Sequence, residues 1–360
     1  MRVKAMLVTH HLPEESIPWM TEARAVFDEL VIFIDENRVK PGTVDRAKNV
    51  GSRVHLYKAD TWYEWDLGAK ARACESDWVF QIEYDEQLSP EWQQAEWRQL
   101  LSRTSFTHFG IARRWTMPGG RYICDPPWWP DIQIRLFRND QAGATFPTRL
   151  HDRIGVPGPG AVFRNLGMYH HVVSLCSRPD REARAELYER MRPGEGGGHY
   201  YMPERYMPGE ASLPESASPD FESELIRMDS LPPEKISDVS LKIRAAPTEV
   251  CVSEMFWLDA EVTNATNQDI YSCPPFPVCL SYHWIHSTTR QMVVFDGERS
   301  RLFSCAPANA ITPWRMVVIA PNEPGDYILQ VTPVQDGVRW FADANPAVMQ
   351  EFFIAVTPKQ

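Results

Sequence analysis

Short apolar runs alternate with amphipathic stretches over the first quarter of the chain. Apolar and β-branched residues concentrate at 3–9, 30–34, 53–57 and 78–82, and helical spacing of apolar positions fills the intervals at 15–30, 46–50 and 66–75. Alternation of strands and helices predicts a parallel α/β sheet, which binds its ligands at the carboxyl ends of its strands.

The pattern changes twice further along the chain. Residues 90–103 and 178–191 have helical spacing, 107–115 and 132–137 are strand-like, and 192–220 are rich in Pro, Gly, Ser and Glu. Beyond about 236, short alternating runs are separated by turn residues and predict a two-sheet β-sandwich of the immunoglobulin type. We therefore expect an α/β domain over 1–230, a linker at Leu231–Lys235, and a sandwich domain over 236–360.

Composition narrows the class of protein. A length of 360 residues suits two domains, and a net charge of −11 disfavours general nucleic-acid binding. No apolar run approaches the roughly 20 residues needed to cross a bilayer, and the first residues lack a signal-peptide pattern. The 7 cysteines have no zinc-like spacing. We expect a soluble cytoplasmic protein, and peripheral association with the inner face of a membrane is compatible with the sequence.

An acidic cluster follows the fourth predicted strand. Glu83 and Asp85 are two residues apart, so both carboxylates point the same way into the crevice where α/β sheets bind ligands. Such oxygen ligands suit Mg²⁺ or Mn²⁺, which stabilise a departing diphosphate. Alternatively, these residues cap the next helix or are solvated. Asp35, at the end of the second strand, is either a hydrogen-bond acceptor for a base or ribose or a turn residue.

Basic and imidazole groups lie near the same predicted strand ends. We place His10, in the turn after the first strand, and Lys70, on the helix before the acidic cluster, with the donor-binding residues; a solvated helix face also explains Lys70. His170 and His171 can complete a metal shell, since imidazole binds Mn²⁺, or they are structural.

Several motifs together resemble family 2 glycosyltransferases of the GT-A fold, in particular bacterial cell-surface glycan enzymes. Over roughly residues 3–190, the shared order is Asp77-Trp78, the acidic cluster, Arg135-Leu136-Phe137-Arg138, His151-Asp152 and the later histidines. The resemblance implies a nucleotide-diphospho-sugar transferase with Asp35 at the nucleoside and Asp85 as the metal carboxylate. Glu83 stands where the family generally has Asp, and its longer side chain can still reach the ion or ribose.

The acceptor side is predicted from a base and an aromatic loop. An inverting transfer needs a carboxylate to deprotonate the acceptor hydroxyl, and the resemblance assigns Asp152, beside His151, to that role; the alternative is an ion pair with Arg149 or Arg153. Aromatic faces stack on sugars, although core packing explains one of the tryptophans equally well. The candidate acceptor-binding residues are Arg114, Trp115, Trp128, Trp129, Asp131 and His151.

The sequence thus predicts a metal-dependent, inverting glycosyltransferase that uses Mn²⁺ or Mg²⁺. Its donor would be a UDP-, GDP- or dTDP-sugar and its acceptor a saccharide or lipid-linked glycan in surface-polysaccharide biosynthesis. Two alternatives are a glycan-binding scaffold with an inactive transferase domain and a sugar nucleotidyltransferase. The latter usually has a Gly-rich basic loop after its first strand, where this chain has His10-His11-Leu12-Pro13-Glu14-Glu15.

Overall fold

The computed structural model describes residues 1–60, 66–94, 96–140, 142–148, 153–191, 198–214, 225–302 and 305–359. Contacts divide the chain into two compact units. The first comprises Met1–Glu186 and Gly198–Met228, and the second comprises Leu187–Gly197 and Asp229–Gln360. No helix in the described ranges is long and apolar enough to cross a membrane.

The first unit is mixed α/β. Its strands are β1 Val3–Thr9, β2 Glu29–Asp35, β3 Arg53–Tyr57, β4 Trp78–Ile82, β5 Glu86–Leu88, β6 His108–Met117, β7 Arg121–Ile123, β8 Asp131–Arg138, β9 Gly160–His170, β10 Glu210–Ser212 and β11 Leu225–Arg227. The helices are α1 Ile17–Val26, α2 Thr43–Val50, α3 Leu67–Ala73, α4 Glu96–Arg103, α5 Val172–Leu175 and α6 Arg178–Met191, whose last residues belong to the second unit. Short 3₁₀ helices occupy Glu14–Ser16, Pro90–Gln93, Gly198–Tyr201 and Pro203–Arg205.

One large twisted sheet organises this unit. Strands β4, β1, β2 and β3 are adjacent and parallel in that order. Strand β8 is antiparallel to β4, β6 is antiparallel to β8, and β9 is parallel to β6. The residues of β1 and β4 are buried throughout, as expected for strands covered on both faces. The predicted alternation of strands and helices is therefore confirmed for the first four strands.

Strand β9 determines where the chain brings its later histidines. It pairs with β5, β6 and β11, and its register places His170 opposite Glu86. Because β5 directly follows the acidic cluster, this pairing joins two segments that are far apart in sequence.

The second unit is almost entirely β. Its elements are β12 Val239–Ile243, β13 Glu249–Cys251, β14 Met255–Asn264, β15 Ile270–Tyr271, β16 Val278–His286, β17 Met292–Val294, β18 Ser300–Arg301, β19 Cys305–Ala306, β20 Ala310–Ile319, β21 Gly325–Gln335, β22 Arg339–Trp340, α7 Phe341–Ala344 and β23 Gln350–Thr357, with 3₁₀ helices at Pro233–Asp238 and Pro346–Val348. One sheet has the order β12-β14-β20 and another β13-β23-β21-β16-β17.

A single apolar cluster lies between these two sheets. It contains Leu258 and Trp314 from one sheet and Trp284 and Leu329 from the other. Leu231, which the sequence placed in a linker, also belongs to this core: it is 2% exposed, and its backbone N–H donates to Gln335 Oε1 at 3.0 Å. The segment after Met228 is thus packed structure and not a free linker.

Candidate functional site

The carboxyl ends of three parallel strands meet at one edge of the large sheet. Strand β1 ends at Thr9, β2 at Asp35 and β4 at Ile82, and the three are neighbours. The loops that follow β1 and β2 are joined, because the Lys40 N–H donates to the His10 carbonyl at 2.9 Å. This edge is where an α/β sheet binds ligands.

Asp35 lies at this edge, fully buried. It accepts hydrogen bonds from Arg38 Nη1 at 2.7 Å and from the backbone N–H groups of Asn37 and Ala59, each at 3.1 Å. Burial raises the pKa of Asp35, but these hydrogen bonds outweigh it and hold the pKa below its usual value. An ionised Asp35 therefore ties the loops after β2 and β3 together beside the predicted donor site.

Two other predicted donor residues are partly or wholly enclosed. Burial, assisted by the charge of Lys40, lowers the pKa of His10 to about 4, so its imidazole is neutral at pH 7. Lys70 is buried, with its Nζ 4.0 Å from the centre of the Tyr57 ring at the end of β3. Lys70 is therefore enclosed and is not on a solvated helix face, which was the alternative explanation for this residue.

Asp85 is the most poorly compensated carboxylate at this edge. It is 4% exposed, and among the described residues its side chain has one long ion pair, with Arg184 Nη1 3.5 Å from its Oδ2. Burial raises the pKa of Asp85 although Arg184 opposes the shift. Any cation that binds such a carboxylate stabilises its ionised form.

Arg184, on α6, places its positive charge beside Asp85. Its guanidinium donates to Tyr84 Oη at 2.6 Å and lies over the Tyr201 ring at 5.6 Å. Burial raises the pKa of Tyr201 to about 12, so this phenol remains protonated at pH 7. Sequence reasoning missed Arg184, because nothing in a strongly polar helix distinguishes one arginine from its neighbours.

Glu83 and Asp131 belong to a buried ladder of charges. Arg113 bridges Glu86, at 2.7 Å, and Asp131, at 2.6 Å. Arg135 bonds Glu86 and lies 3.4 Å from Glu83. Burial raises the pKa of Glu86, but Arg135 and Arg113 outweigh it and lower the pKa. Glu83 therefore faces an arginine.

Asp131 and Trp115 lie inside the unit, away from the surface where an acceptor was expected. Both are fully buried, and Trp115 Nε1 donates to Asp131 Oδ2 at 3.0 Å. The alternative that one tryptophan packs in the core therefore applies to Trp115.

The two adjacent histidines have different surroundings. Neither ring nitrogen of His170 has a hydrogen-bond partner in the described part of the chain, and its ring lies 4.5 Å from that of Trp115. Burial, with Arg113 nearby, holds the pKa of His170 well below its usual value. His171 instead stacks on Trp19 at 4.1 Å and hydrogen-bonds Thr116 and Gln87. His170 has free donor atoms, whereas His171 is held by protein.

The predicted metal ligands do not converge in the described part of the chain. Over the described ranges, no group of three His, Cys, Asp or Glu side chains converges to hold a metal ion. Glu83 and His171 are bonded to protein groups, as described above, which leaves Asp85 and His170 with donor capacity.

An aromatic cluster surrounds Arg114. The guanidinium carbon of Arg114 lies 4.4 Å from the Trp129 ring centre and 5.6 Å from that of Tyr122. Trp129 and Tyr122 are half-buried, whereas Trp128 is buried and donates from Nε1 to the Tyr200 carbonyl at 2.9 Å. Trp128 is therefore enclosed by the protein, unlike Trp129 and Tyr122.

The predicted base and its neighbour, Asp152 and His151, lie outside the described residues, as does Arg149. Arg153, its other predicted ion-pair partner, donates from Nη1 to the Ile132 carbonyl at 3.0 Å. The assignment of Asp152 stays a prediction.

Comparisons with known proteins show only distant similarity. No family model and no curated protein matches the sequence. Staphylococcus aureus TarS, a glycosyltransferase, matches 100% of this chain and 79% of its own, at 9% identity and a TM-score of 0.34. Bacillus subtilis Spo0M, a sporulation control protein, matches 34% of this chain at 12% identity (TM-score 0.24), and a Listeria innocua β-glucosidase 33% at 11% (0.23). This chain spans 50% and 16% of those two proteins. At these TM-scores the function must be argued from the site.

Proposed function

We propose that the first unit is a GT-A glycosyltransferase domain that binds a nucleotide sugar at the carboxyl edge of β4, β1 and β2. The observation that carries this proposal is Asp85, a nearly buried carboxylate with a raised pKa whose ion pair within the described part of the chain is a long one, 3.5 Å from Arg184. Such a group destabilises the free protein and is stabilised by a bound cation, which is typical of a functional carboxylate.

The donor set fits Mn²⁺ or Mg²⁺. A neutral imidazole and one carboxylate are acceptable ligands, and Mg²⁺ is usually bound through one or two carboxylates together with substrate phosphates. Asp85 would hold the ion, and His170 would supply an imidazole nitrogen. The ion would stabilise the negative charge of the departing nucleoside diphosphate.

Residues of the chain perform the other steps. Asp35 and the loop it organises would contact the nucleoside, with His10 and Lys70 nearby, and Arg184 would contribute positive charge at the phosphates. Asp152 would take the proton of the acceptor hydroxyl as that oxygen bonds the anomeric carbon and the bond to the diphosphate breaks. The configuration at the anomeric carbon is thereby inverted.

The acceptor would be a saccharide or lipid-linked glycan that stacks on Trp129 and Tyr122. The second unit, proposed as an immunoglobulin-like sandwich, would assist by scaffolding or glycan binding. We place the protein in surface-polysaccharide biosynthesis in the cytoplasm.

The test compares wild type with Asp85→Asn and with Asp45→Asn, which alters an exposed acid in the first turn of α2. Calorimetry with UDP, GDP and dTDP with and without Mn²⁺ measures nucleotide binding, and nucleoside diphosphate release measures transfer. Asp85→Asn should lower transfer by a factor on the order of 10² or more, as when one electrostatic stabiliser of a transition state is removed, while Asp45→Asn remains at wild-type turnover.

Three results would contradict the proposal. Near wild-type turnover of Asp85→Asn removes the metal assignment. Nucleotide-sugar binding with no diphosphate release indicates an inactive scaffold. Pyrophosphate release from a nucleoside triphosphate and a sugar phosphate indicates a nucleotidyltransferase.

A further inference from the structure

Arg114 projects from one face of β6, and its sequence neighbours Arg113 and Trp115 project from the other. Side chains alternate along a strand, and Arg113 and Trp115 both bond Asp131 on one face, so Arg114 points to the other. There it lies over the rings of Trp129 and Tyr122 and is 8% exposed.

Among the described residues, the charge of Arg114 has no counter-ion. Its buried Nε has no acceptor, and in the part of the chain that the structure describes its guanidinium makes no hydrogen bond or ion pair. By contrast, Arg113 is bonded to two carboxylates. Burying an unpaired guanidinium is strongly unfavourable, and the cation–π contacts offset only part of that cost.

Glu91 is an acidic group near Tyr169, the residue paired with Arg114 across β6 and β9. After the larger effect of burial, Glu91 raises the pKa of Tyr169 and Arg114 lowers it, so both lie within electrostatic reach of that phenol. Nevertheless, Glu91 and Arg114 do not form an ion pair with each other among the described residues. Glu91 thus moderates the local field without occupying the N–H groups of Arg114.

The position favours an oxyanion as the missing partner. A guanidinium stacked on aromatic faces keeps its planar N–H edge available for two parallel hydrogen bonds to a carboxylate or phosphate. Gly167 permits this arrangement, because a Cβ there would lie 3.0 Å from Arg114 Nη1. A side chain at 167 would press against the guanidinium.

We propose that Arg114 binds an anionic group, a carboxylate or phosphate, on a saccharide whose ring stacks on Trp129 and Tyr122. This inference rests on the proposed function only in taking that saccharide as the acceptor. It narrows the acceptor class from glycans in general to acidic or phosphorylated ones.

The experiment measures sugar binding to the full-length protein directly, without donor. Saturation-transfer difference NMR titrations would compare glucose, glucuronate and glucose 6-phosphate, each at low and high NaCl. We expect at least one of the two anionic sugars to bind wild type at least tenfold more tightly than glucose does, with an advantage that shrinks in high salt. Tighter binding of glucuronate would indicate a carboxylate ligand, and tighter binding of glucose 6-phosphate would indicate a phosphate ligand.

Two variants and a matched control assign the effect to Arg114. Arg114→Gln should bring the anionic sugars to the affinity of glucose. Arg114→Lys, which keeps the charge and loses the planar fork, should retain part of the advantage and serves also if the glutamine variant does not fold. The control is Arg98→Gln, since Arg98 lies 4.7 Å from the Trp97 ring centre but is paired with Asp28 at 3.3 Å; it should behave as wild type.

Equal affinity of wild type for all three sugars, or an unchanged preference in both Arg114 variants, would overturn the inference. Binding to Asp85→Asn should be retained, which separates this site from the donor edge. If Asp85→Asn keeps full turnover while Arg114→Gln loses the anionic preference, the proposed metal assignment fails and the anion site stands.

Discussion

At the residue scale, Asp85 and Glu86 show how neighbours in sequence come to have opposite electrostatics. Both are buried, but Glu86 is bonded by Arg113 and Arg135, whereas Asp85 has Arg184 at 3.5 Å. The pKa of Asp85 is consequently raised and that of Glu86 lowered. One carboxylate stabilises the fold at neutral pH, and the other costs stability.

The pH dependence follows from the sign of each shift. A carboxyl with a raised folded-state pKa stabilises the fold below its unfolded pKa of about 3.9, and that contribution is lost as the pH rises through the folded-state pKa. A carboxyl with a lowered pKa stabilises above its unfolded pKa of about 4.3, and the contribution is lost as the pH falls through the folded-state pKa. At pH 7 ionised Asp85 is therefore destabilising and ionised Glu86 stabilising.

We predict that Asp85→Asn raises the free energy of unfolding at pH 7, with a gain that shrinks toward pH 4, although it should lower the rate of the proposed transfer. Glu86→Gln should lower the free energy of unfolding by about 3–5 kcal/mol, as when one partner of a buried ion pair is removed. Urea unfolding of both variants between pH 4 and 8 measures the difference. A loss of stability in Asp85→Asn would mean that its carboxylate is structural.

The adjacent histidines show where residue-level prediction from sequence stops. The sequence marked His170 and His171 as an equivalent pair, and only the pairing of β5 with β9 separates their roles. His170 faces Trp115, and its ring nitrogens have no partner among the described residues, whereas His171 stacks on Trp19. These partners are distant in the sequence, so no local pattern contains the distinction.

At the scale of elements, apolar runs defined the central strands well. Strands β1 and β4 have the bounds expected from the sequence, because continuous burial requires continuous apolar residues. The helix expected over 90–103 is instead a 3₁₀ helix at Pro90–Gln93 followed by α4, with Gln94 extended between them. Trp92 and Trp97 are both buried there, and the indole N–H of Trp97 donates to the Trp92 carbonyl. Tertiary packing of tryptophans thus overrides local helical spacing.

Strand β6 approaches its neighbours β8 and β9 closely at Gly110. A Cβ at this position would lie 2.6 Å from Ile132 Cγ2 on β8 and 3.2 Å from Val162 Cγ2 on β9. The strand carries Arg113 of the charge ladder on one face and Arg114 on the other. The spacing of β6 from β8 and β9 therefore affects the position of Arg113 and Arg114.

We predict that Gly110→Ala lowers the free energy of unfolding by about 1–3 kcal/mol through overpacking. Ile132→Ala removes the opposing methyl group, so the double variant should be less destabilised than the sum of the single changes. Urea unfolding of all four proteins closes this double-mutant cycle. Strict additivity would show that the two side chains do not clash.

At the scale of the whole molecule, each unit has its own apolar core. The first core includes β1, β2 and β4 residues such as Leu7, Ile32 and Phe80, and the second lies between the two smaller sheets. The sequence indicated the change from α/β to all-β patterning, but Leu231-Pro232-Pro233 resembles an exposed linker by composition. Its burial could not be foreseen, because the groups that cover Leu231 come from residues about a hundred positions later, such as Gln335.

The last prediction concerns where the second unit begins. A fragment of residues 229–360 should fold alone, because it contains the whole apolar cluster between its sheets. A fragment beginning at 238 lacks Leu231 and Ile236, both buried in that cluster, and should be less stable by about 3–6 kcal/mol, at about 1.5–3 kcal/mol for each buried side chain. Urea unfolding compares the two fragments, and Leu231→Ala in the longer one is the control for lost packing alone. Equal midpoints would show that residues 229–237 are only a connection, as their composition had suggested.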